Sequence, residues 1–493
     1  MHFKPRLFFP ALAALLLAAR LCHVGILWAE ESLPLAAAGE MLRGKALYRD
    51  IWFDKPPLVA AWPLLWGAGG GWPLRLLGAL YALLACWIAY RFASDVWSER
   101  EGRWAAGLLA FFLTFDLPSA VIPLASDLLL LAPHLAAVWL AWKRRPFWSG
   151  ALLGVGFLIS PRAVFVAAAC ALWNPAGIPR LAAGFAAVSG VAGAWLWLAG
   201  AWPAYWDEVW RWGRLYAAVP LAENPVKAGL LRTADWAGFH AALVVAAIGF
   251  FRGRADPRSA RVPRTRSSLG ESTVAQQASQ GAGDWHWAAW CLLGLVGVAF
   301  GWRFFPRYYF LLLPPMVLVA ARGFTLLGRR WRVAALLLLL IPLGRFGPRY
   351  LLLAAGQTSW SDTAMDRDSR EVAALIRHQE RPGDTLFVWG FRPEMYVYTR
   401  LPAANRFLDS QPLTGVPADR HLTESTPLDD QGARDHRAEL VSSHPTFIID
   451  GLGLYNPALA ISNYGDLRRW FSDYREVVRS GQSVVYQRLA AAP

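Results

Sequence analysis

Apolar runs long enough to cross lipid recur along this chain, and they constrain its fold more than any other feature. A helix needs about twenty apolar residues to span the hydrocarbon core, fewer where the bilayer thins. By that measure about eleven spans are expected: Leu7–Ala29, Leu76–Trp97, Trp104–Ala120, Pro123–Trp142, Trp148–Ser160, Ala163–Trp173, Leu181–Ala201, Trp236–Phe251, Trp285–Gly301, Tyr308–Ala321 and Val333–Leu343. The fifth, sixth and eleventh are short, and the fifth and sixth flank Pro161-Arg162 in the manner of half-helices. Hydrophobic residues make up 56% of the 493 and charged residues 17%, whereas soluble domains lie nearer half and a quarter. With 27 Trp and 26 Phe, the apolar surface exceeds what one globular core hides, which excludes disorder, collagen and a soluble disulfide scaffold. The first run outlasts a signal-peptide core and lacks a small-x-small cleavage site, so a retained span is expected. The expected fold class is a polytopic α-helical membrane protein.

The formal net charge is +14. The basic residues fall largely in short gaps between apolar runs, which orients a membrane protein and does not indicate nucleic acid. Lys4 and Arg6 precede the first span, and Lys143, Arg144 and Arg145 follow the fourth. Arg252, Arg254, Arg258, Arg261, Arg264 and Arg266 follow the eighth; Arg322, Arg329, Arg330 and Arg332 follow the tenth. With eleven crossings all four clusters share one side, so the N-terminus is expected in the cytoplasm and the C-terminus outside. The Arg-, Ser- and Gln-rich stretch 252–284 is expected to be a disordered cytoplasmic linker. Cys22, Cys86, Cys170 and Cys291 lie within apolar runs without a CxxC, which suggests neither a disulfide framework nor a zinc site.

Three segments remain on the outer side: a first loop 30–75, the Trp- and Tyr-rich stretch Trp202–Asp235, and the tail 356–493. Composition makes the second an interfacial aromatic belt. The tail alternates strand-like runs (Thr385–Trp389, Thr446–Asp450, Ser483–Gln487) with a helical stretch Ser369–Glu380, which predicts a small extracytoplasmic α/β domain after a membrane module 1–355.

The first loop reads WAEESLPLAAAGEMLRGKALYRDIWFDKPPLVAAW. Glu30-Glu31 sit where the first span ends; Ser32 and Pro34 suit a helix start, with Ala and Met41-Leu42 on an interface, and Gly44 a stop. Membrane-flanking charges commonly anchor helix ends, but here acids and bases interleave with turn residues. The spacing of Glu30-Glu31, Ala38, Gly44, Tyr48-Arg49-Asp50 and Lys55-Pro56-Pro57 resembles the first-loop signature of the GT-C membrane glycosyltransferases. The likeness is nearest to the protein-mannosyltransferase-like bacterial branch that includes the lipid A aminoarabinose transferases. That family normally shows Asp-Glu where this chain has Glu30-Glu31. Asp127, Ser160-Pro161-Arg162, Arg303-Phe304-Phe305-Pro306-Arg307-Tyr308-Tyr309 and the run from Pro382-Gly383-Asp384 to Trp389-Gly390-Phe391 extend the resemblance over nearly the whole chain.

The resemblance implies a GT-C-type fold in a bacterial-type inner membrane and a polyprenyl-phosphate sugar donor. It also implies transfer with inversion, at the outer face, to a lipid, glycan or protein acceptor. Glu30, Glu31 and Asp127 are then the candidate catalytic carboxylates; Lys55, Arg162, Arg303 and Arg307 the phosphate-binding cations; Tyr48, Arg49 and Tyr308 further substrate contacts. No cofactor is expected. The carboxylates lack an Asp-x-Asp spacing, so a divalent metal is allowed but not predicted. Arg20, deep in the first span, is expected to face protein; His23 and His134 are expected to be satisfied core residues, and Gly69-Gly70-Gly71 lies in no nucleotide motif. Rival readings are a flippase for lipid-linked sugar, for which inverted repeats are not visible, a polysaccharide ligase or polymerase using diphosphate-linked donors, and a membrane scaffold.

Overall fold

The computed structural model describes residues 5–255, 285–357 and 359–489. Lys4 and most of the stretch 252–284, including Arg258, Arg261, Arg264 and Arg266, lie outside the described residues, as does the disorder expected there. The chain forms two compact units, one of residues 1–23, 75–191 and 220–355, the other of residues 24–74, 192–219 and 356–493.

The first unit is helical. Among the described residues three helices are long and apolar enough to cross a membrane: Trp72–Val96, Pro175–Leu198 and Arg329–Ala354. At about 1.5 Å per residue, each exceeds the roughly 30 Å of hydrocarbon. The eleven apolar runs therefore do not each become one long helix, and the reason is local. The first run stops as a helix at Leu21, and residues 22–25 turn. The run Trp236–Phe251 is divided at His240, where Pro225–Phe239 and Ala241–Gly253 bend by 87°. His240 sits at that break with Nδ1 3.0 Å from Trp236 O and Nε2 3.3 Å from Asp116 Oδ2. The break at Pro161-Arg162 separates Pro146–Phe157 from Ala163–Trp173. By contrast, the short final run lies inside a 26-residue helical stretch.

Three buried polar side chains in this unit have hydrogen-bond partners, which low-dielectric surroundings favour. Arg20 is fully buried and donates to Val121 O at 3.1 Å. His23 Nδ1 lies 2.9 Å from Ala19 O, and Trp290 Nε1 donates to His134 Nε2 at 2.9 Å. Trp290 also stacks on Phe92, and Trp287 on Trp97, which gives the unit an aromatic core.

The second unit carries a four-stranded sheet, β1 (Leu386–Trp389), β2 (Phe447–Asp450), β3 (Tyr474–Arg479) and β4 (Val484–Arg488), in the order β1-β2-β4-β3. β1 and β2 run parallel, with Leu386 opposite Phe447; β4 is antiparallel to both β2 and β3. Every residue of β1 and β2 is buried, as continuous apolar runs in a covered parallel pair should be. β3 is the strand that sequence reading misses: its charged, largely exposed pattern marks an edge. The expected helix Ser369–Glu380 is longer, Ser361–Gln379. Its polar first turns are anchored where Asp362 accepts Trp28 Nε1 at 3.1 Å and Asp366 accepts the Leu27 N–H at 2.9 Å. The core joins Phe387, Trp389, Phe407, Ile448 and Trp470 of the tail with Trp52 and Trp212. Residues 30–74 of the first loop and 202–219 of the Trp-rich stretch are thus structural parts of this unit, whereas 220–235 belong to the first.

Candidate functional site

In the first unit, four of the nominated residues come together from three distant segments. Asp127 occupies the first turn of the short helix Ser126–Leu129 and is 9% exposed. Arg162, in the turn after Pro161, places Nη1 3.5 Å from Asp127 Oδ1; Arg307, at the start of the turn Pro306–Leu311, places Nε 3.5 Å from Oδ2. The Arg162 guanidinium stacks on the Tyr308 ring, 3.4 Å from its centroid. Two guanidiniums around one carboxylate leave the cluster with a net positive charge. Contacts of 3.5 Å are Coulombic and longer than strong hydrogen bonds, a geometry in which a better acceptor competes for the guanidinium donors.

Arg303 is buried just before this turn. Around it Gly301, Trp302 and Phe304 all have positive φ, at 83°, 53° and 47°. For bulky residues this is a strained conformation, costing about 1–3 kcal/mol each, of the kind that gathers at functional sites.

In the second unit the helix expected after the first span runs Ala29–Leu42 and is buried over most of its length. It does not present its alanines to an interface: Ala36, Ala37 and Ala38 are in the core. Nor does Ser32 cap it, since its Oγ turns back to Ala29 O at 3.2 Å. The capping carboxylate is Glu31, buried, which accepts the Trp28 N–H at 3.4 Å. Glu30, in the same first turn, is half-buried. Gly44 ends the helix with φ +91°, a conformation that favours glycine.

Tyr48 is fully buried with φ +67°, and its hydroxyl donates to Lys55 O at 2.7 Å. Arg49 is exposed, paired with Asp50 at 2.8 Å and donating to Ala199 O at 3.1 Å. That contact holds the Asp50 carboxyl down at about 2. Lys55 Nζ lies 2.7 Å from Asp54 Oδ1, both partly exposed.

Sequence reading missed the residues that clamp this loop. Glu208 lies in a π-turn, Trp206–Arg211, a form of helix that recurs at functional sites. It accepts the Phe53 N–H at 2.9 Å and pairs with Arg406. Arg406 donates to Tyr48 O at 2.6 Å, and its own carbonyl accepts the Trp52 N–H at 2.8 Å. Asp409 is buried near the same loop, its carboxyl pushed up to about 7 by burial and then by Asp54, against the pull of Lys55. Glu208 stood inside WPAYWDEVWRWGRLY, where the aromatic composition dominated, and the tail residues carry no motif. Among the described residues no group of three or more His, Cys, Asp or Glu is arranged to hold a metal ion.

No family model and no curated protein matches the sequence. Solved structures do match. ArnT from Cupriavidus metallidurans bound to undecaprenyl phosphate aligns at a TM-score of 0.57 and 16% identity, over 99% of this chain and 99% of that one. The apo state of the same protein aligns at 0.58 and 14%, over 98% and 97%. The oligosaccharyltransferase of Archaeoglobus fulgidus tethered to an acceptor peptide aligns at 0.46 and 13%, over 96% of this chain and 72% of that one. The ArnT likeness, end to end in both chains, establishes the GT-C fold expected from the first-loop motif.

Proposed function

We propose, from the GT-C fold and the residues it carries, that this chain is a multi-pass membrane glycosyltransferase using a polyprenyl-phosphate-linked sugar. The observation that carries the reading is the Asp127, Arg162, Arg307 and Tyr308 cluster, positive overall and assembled from three segments. The structure of a protein with this fold bound to undecaprenyl phosphate supports the choice of lipid class. Arg162, Arg303 and Arg307 are assigned to the phosphate, where charge-assisted bonds are short and strong. Lys55 is assigned a phosphate contact and Glu30 the role of general base, with Glu31 and Asp127 the alternative carboxylates. Glu31 is the weaker alternative, because its carboxylate serves the helix start.

In the proposed reaction an acceptor hydroxyl attacks the anomeric carbon from the face opposite the phosphate, which inverts the centre. The new C–O bond forms as the bond to phosphate oxygen breaks, the proton passes to the carboxylate, and polyprenyl phosphate leaves with the electron pair. Fixed cations stabilise the charge that grows on that oxygen. The acceptor class is a lipid, glycan or protein, and the reading places the enzyme in a bacterial inner membrane with about eleven crossings and the 356–493 segment outside.

The test is purified protein with radiolabelled polyprenyl-phosphate sugar and a mixture of envelope acceptors. Release of free polyprenyl phosphate with label moving to acceptor supports the reading; movement of intact donor across the bilayer without release would replace it with a flippase. An alkaline phosphatase fusion after Pro493 should be active, and an inactive one would reverse the orientation.

A further inference from the structure

The first unit holds a groove with about 790 Å³ of open space, apart from the Asp127 cluster. Its walls are apolar, from Leu140, Leu152, Val155 and Val188 among others, with Trp148 and the single cation Arg145 also lining it. One side is a tight helix crossing. A Cβ on Gly150 would stand 1.9 Å from Leu181 O, and one on Gly184 1.9 Å from Phe147 O, so Pro146–Phe157 and Ile178–Leu198 meet backbone to backbone.

The three consecutive cations beside it are not equivalent. Lys143 is committed to Asp95 at 2.6 Å, and Arg144 donates to Asn174 Oδ1 at 3.2 Å from a left-handed backbone, φ +58°. Arg145 is exposed, and its side chain takes part in no ion pair or hydrogen bond with the described residues. Trp148, 61% exposed, has the character of a side chain at headgroup depth. The helices from Asp127 to Trp142 advance about 22 Å at 1.5 Å per residue, most of a hydrocarbon thickness. A headgroup at Arg145 is therefore far along the unit from the cluster assigned to the donor.

We propose that this groove binds an anionic glycerophospholipid, with the phosphate on Arg145 and one acyl chain along Leu140, Leu152, Val155 and Val188. The charge of the rim and the apolar walls match the two ends of such a molecule. A water-soluble anion matches only the first, and a neutral lipid only the second. The proposal does not depend on the sugar-transfer reading.

The full chain, reconstituted in nanodiscs of phosphatidylethanolamine and phosphatidylglycerol and then released into a neutral detergent, is examined by native mass spectrometry. The expected result is retained phosphatidylglycerol in excess over phosphatidylethanolamine. Arg145→Ala should lower retention by about tenfold or more, as for loss of one charge-assisted contact, while Arg145→Lys keeps most of it. Leu152→Trp, which fills the groove and leaves the charge, should lower retention as well. Arg145→Ala alters an exposed side chain, and an unchanged melting temperature in lipid-free detergent shows that the fold is kept. Equal retention of the two lipids, or wild-type retention in both Arg145→Ala and Leu152→Trp, would overturn the proposal.

Discussion

Removing the Glu208 side chain tests whether the first loop is held from behind. Glu208 is 2% exposed and serves two donors, the Phe53 N–H at 2.9 Å and the Arg406 guanidinium. Glu208→Ala leaves the Phe53 N–H without its acceptor and Arg406 without its carboxylate, with the Tyr48 carbonyl still accepting from it. A buried N–H without a partner costs about 1–3 kcal/mol, and breaking a buried ion pair about 3–5 kcal/mol. Arg406 keeps 20% of its side chain exposed, so water recovers part of the second amount. The loss for Glu208→Ala is then about 3 kcal/mol, and for Glu208→Gln, which retains an acceptor for Phe53, about 1–2 kcal/mol. At about 2–4 °C per kcal/mol for a domain of this size, the alanine variant should melt roughly 6–12 °C lower. Because Tyr48, Phe53 and Lys55 share the clamped segment, the same variant should also weaken undecaprenyl phosphate binding, read by thermal shift over a lipid titration. In the Glu208→Gln, Arg406→Gln cycle the two losses should be strongly non-additive. A Glu208→Ala protein with the wild-type melting temperature and lipid affinity would refute the clamp.

Arg307→Ala should reduce affinity for undecaprenyl phosphate by about 10–100-fold, the worth of one charged hydrogen bond, without unfolding; isothermal titration in detergent measures it, and unchanged affinity removes Arg307 from the site. Glu30→Gln should slow sugar transfer at least about a hundredfold with donor affinity largely kept. A near-normal rate there, with loss in Asp127→Asn, would move the base role to Asp127. Asp409, pushed up to about 7 by burial, binds its proton more tightly folded than unfolded, where its value is near 4. Its ionisation therefore removes stability as pH rises from about 4 to 7, on the order of 3–4 kcal/mol at the upper limit. Asp409→Asn should accordingly gain in melting temperature relative to wild type at pH 8 and gain little at pH 4.5; an equal difference at both would reject a buried titrating carboxyl.

Apolar run length and basic clusters are local properties, and they made a helical membrane protein legible from the sequence alone. The helix breaks at Pro161 and Gly44 and three of the four strands were equally legible, because proline, a positive-φ glycine and buried β-branched runs act over a few residues. The family resemblance also nominated Asp127, Arg162, Arg307 and Tyr308, but not that Asp127 takes both arginines or that Arg162 lies on the Tyr308 ring. Only the tertiary structure decided this, since those residues are separated by long stretches of chain. Tertiary structure likewise decided that the first loop and the stretch 192–219 fold with the tail, and that Glu208 and Arg406 grip the Lys55 segment. Nothing near Glu208 in the sequence distinguishes it from Asp207 beside it. What separates them is burial, 2% exposure against a 44% exposed side chain, and burial is set by what packs from elsewhere in the unit.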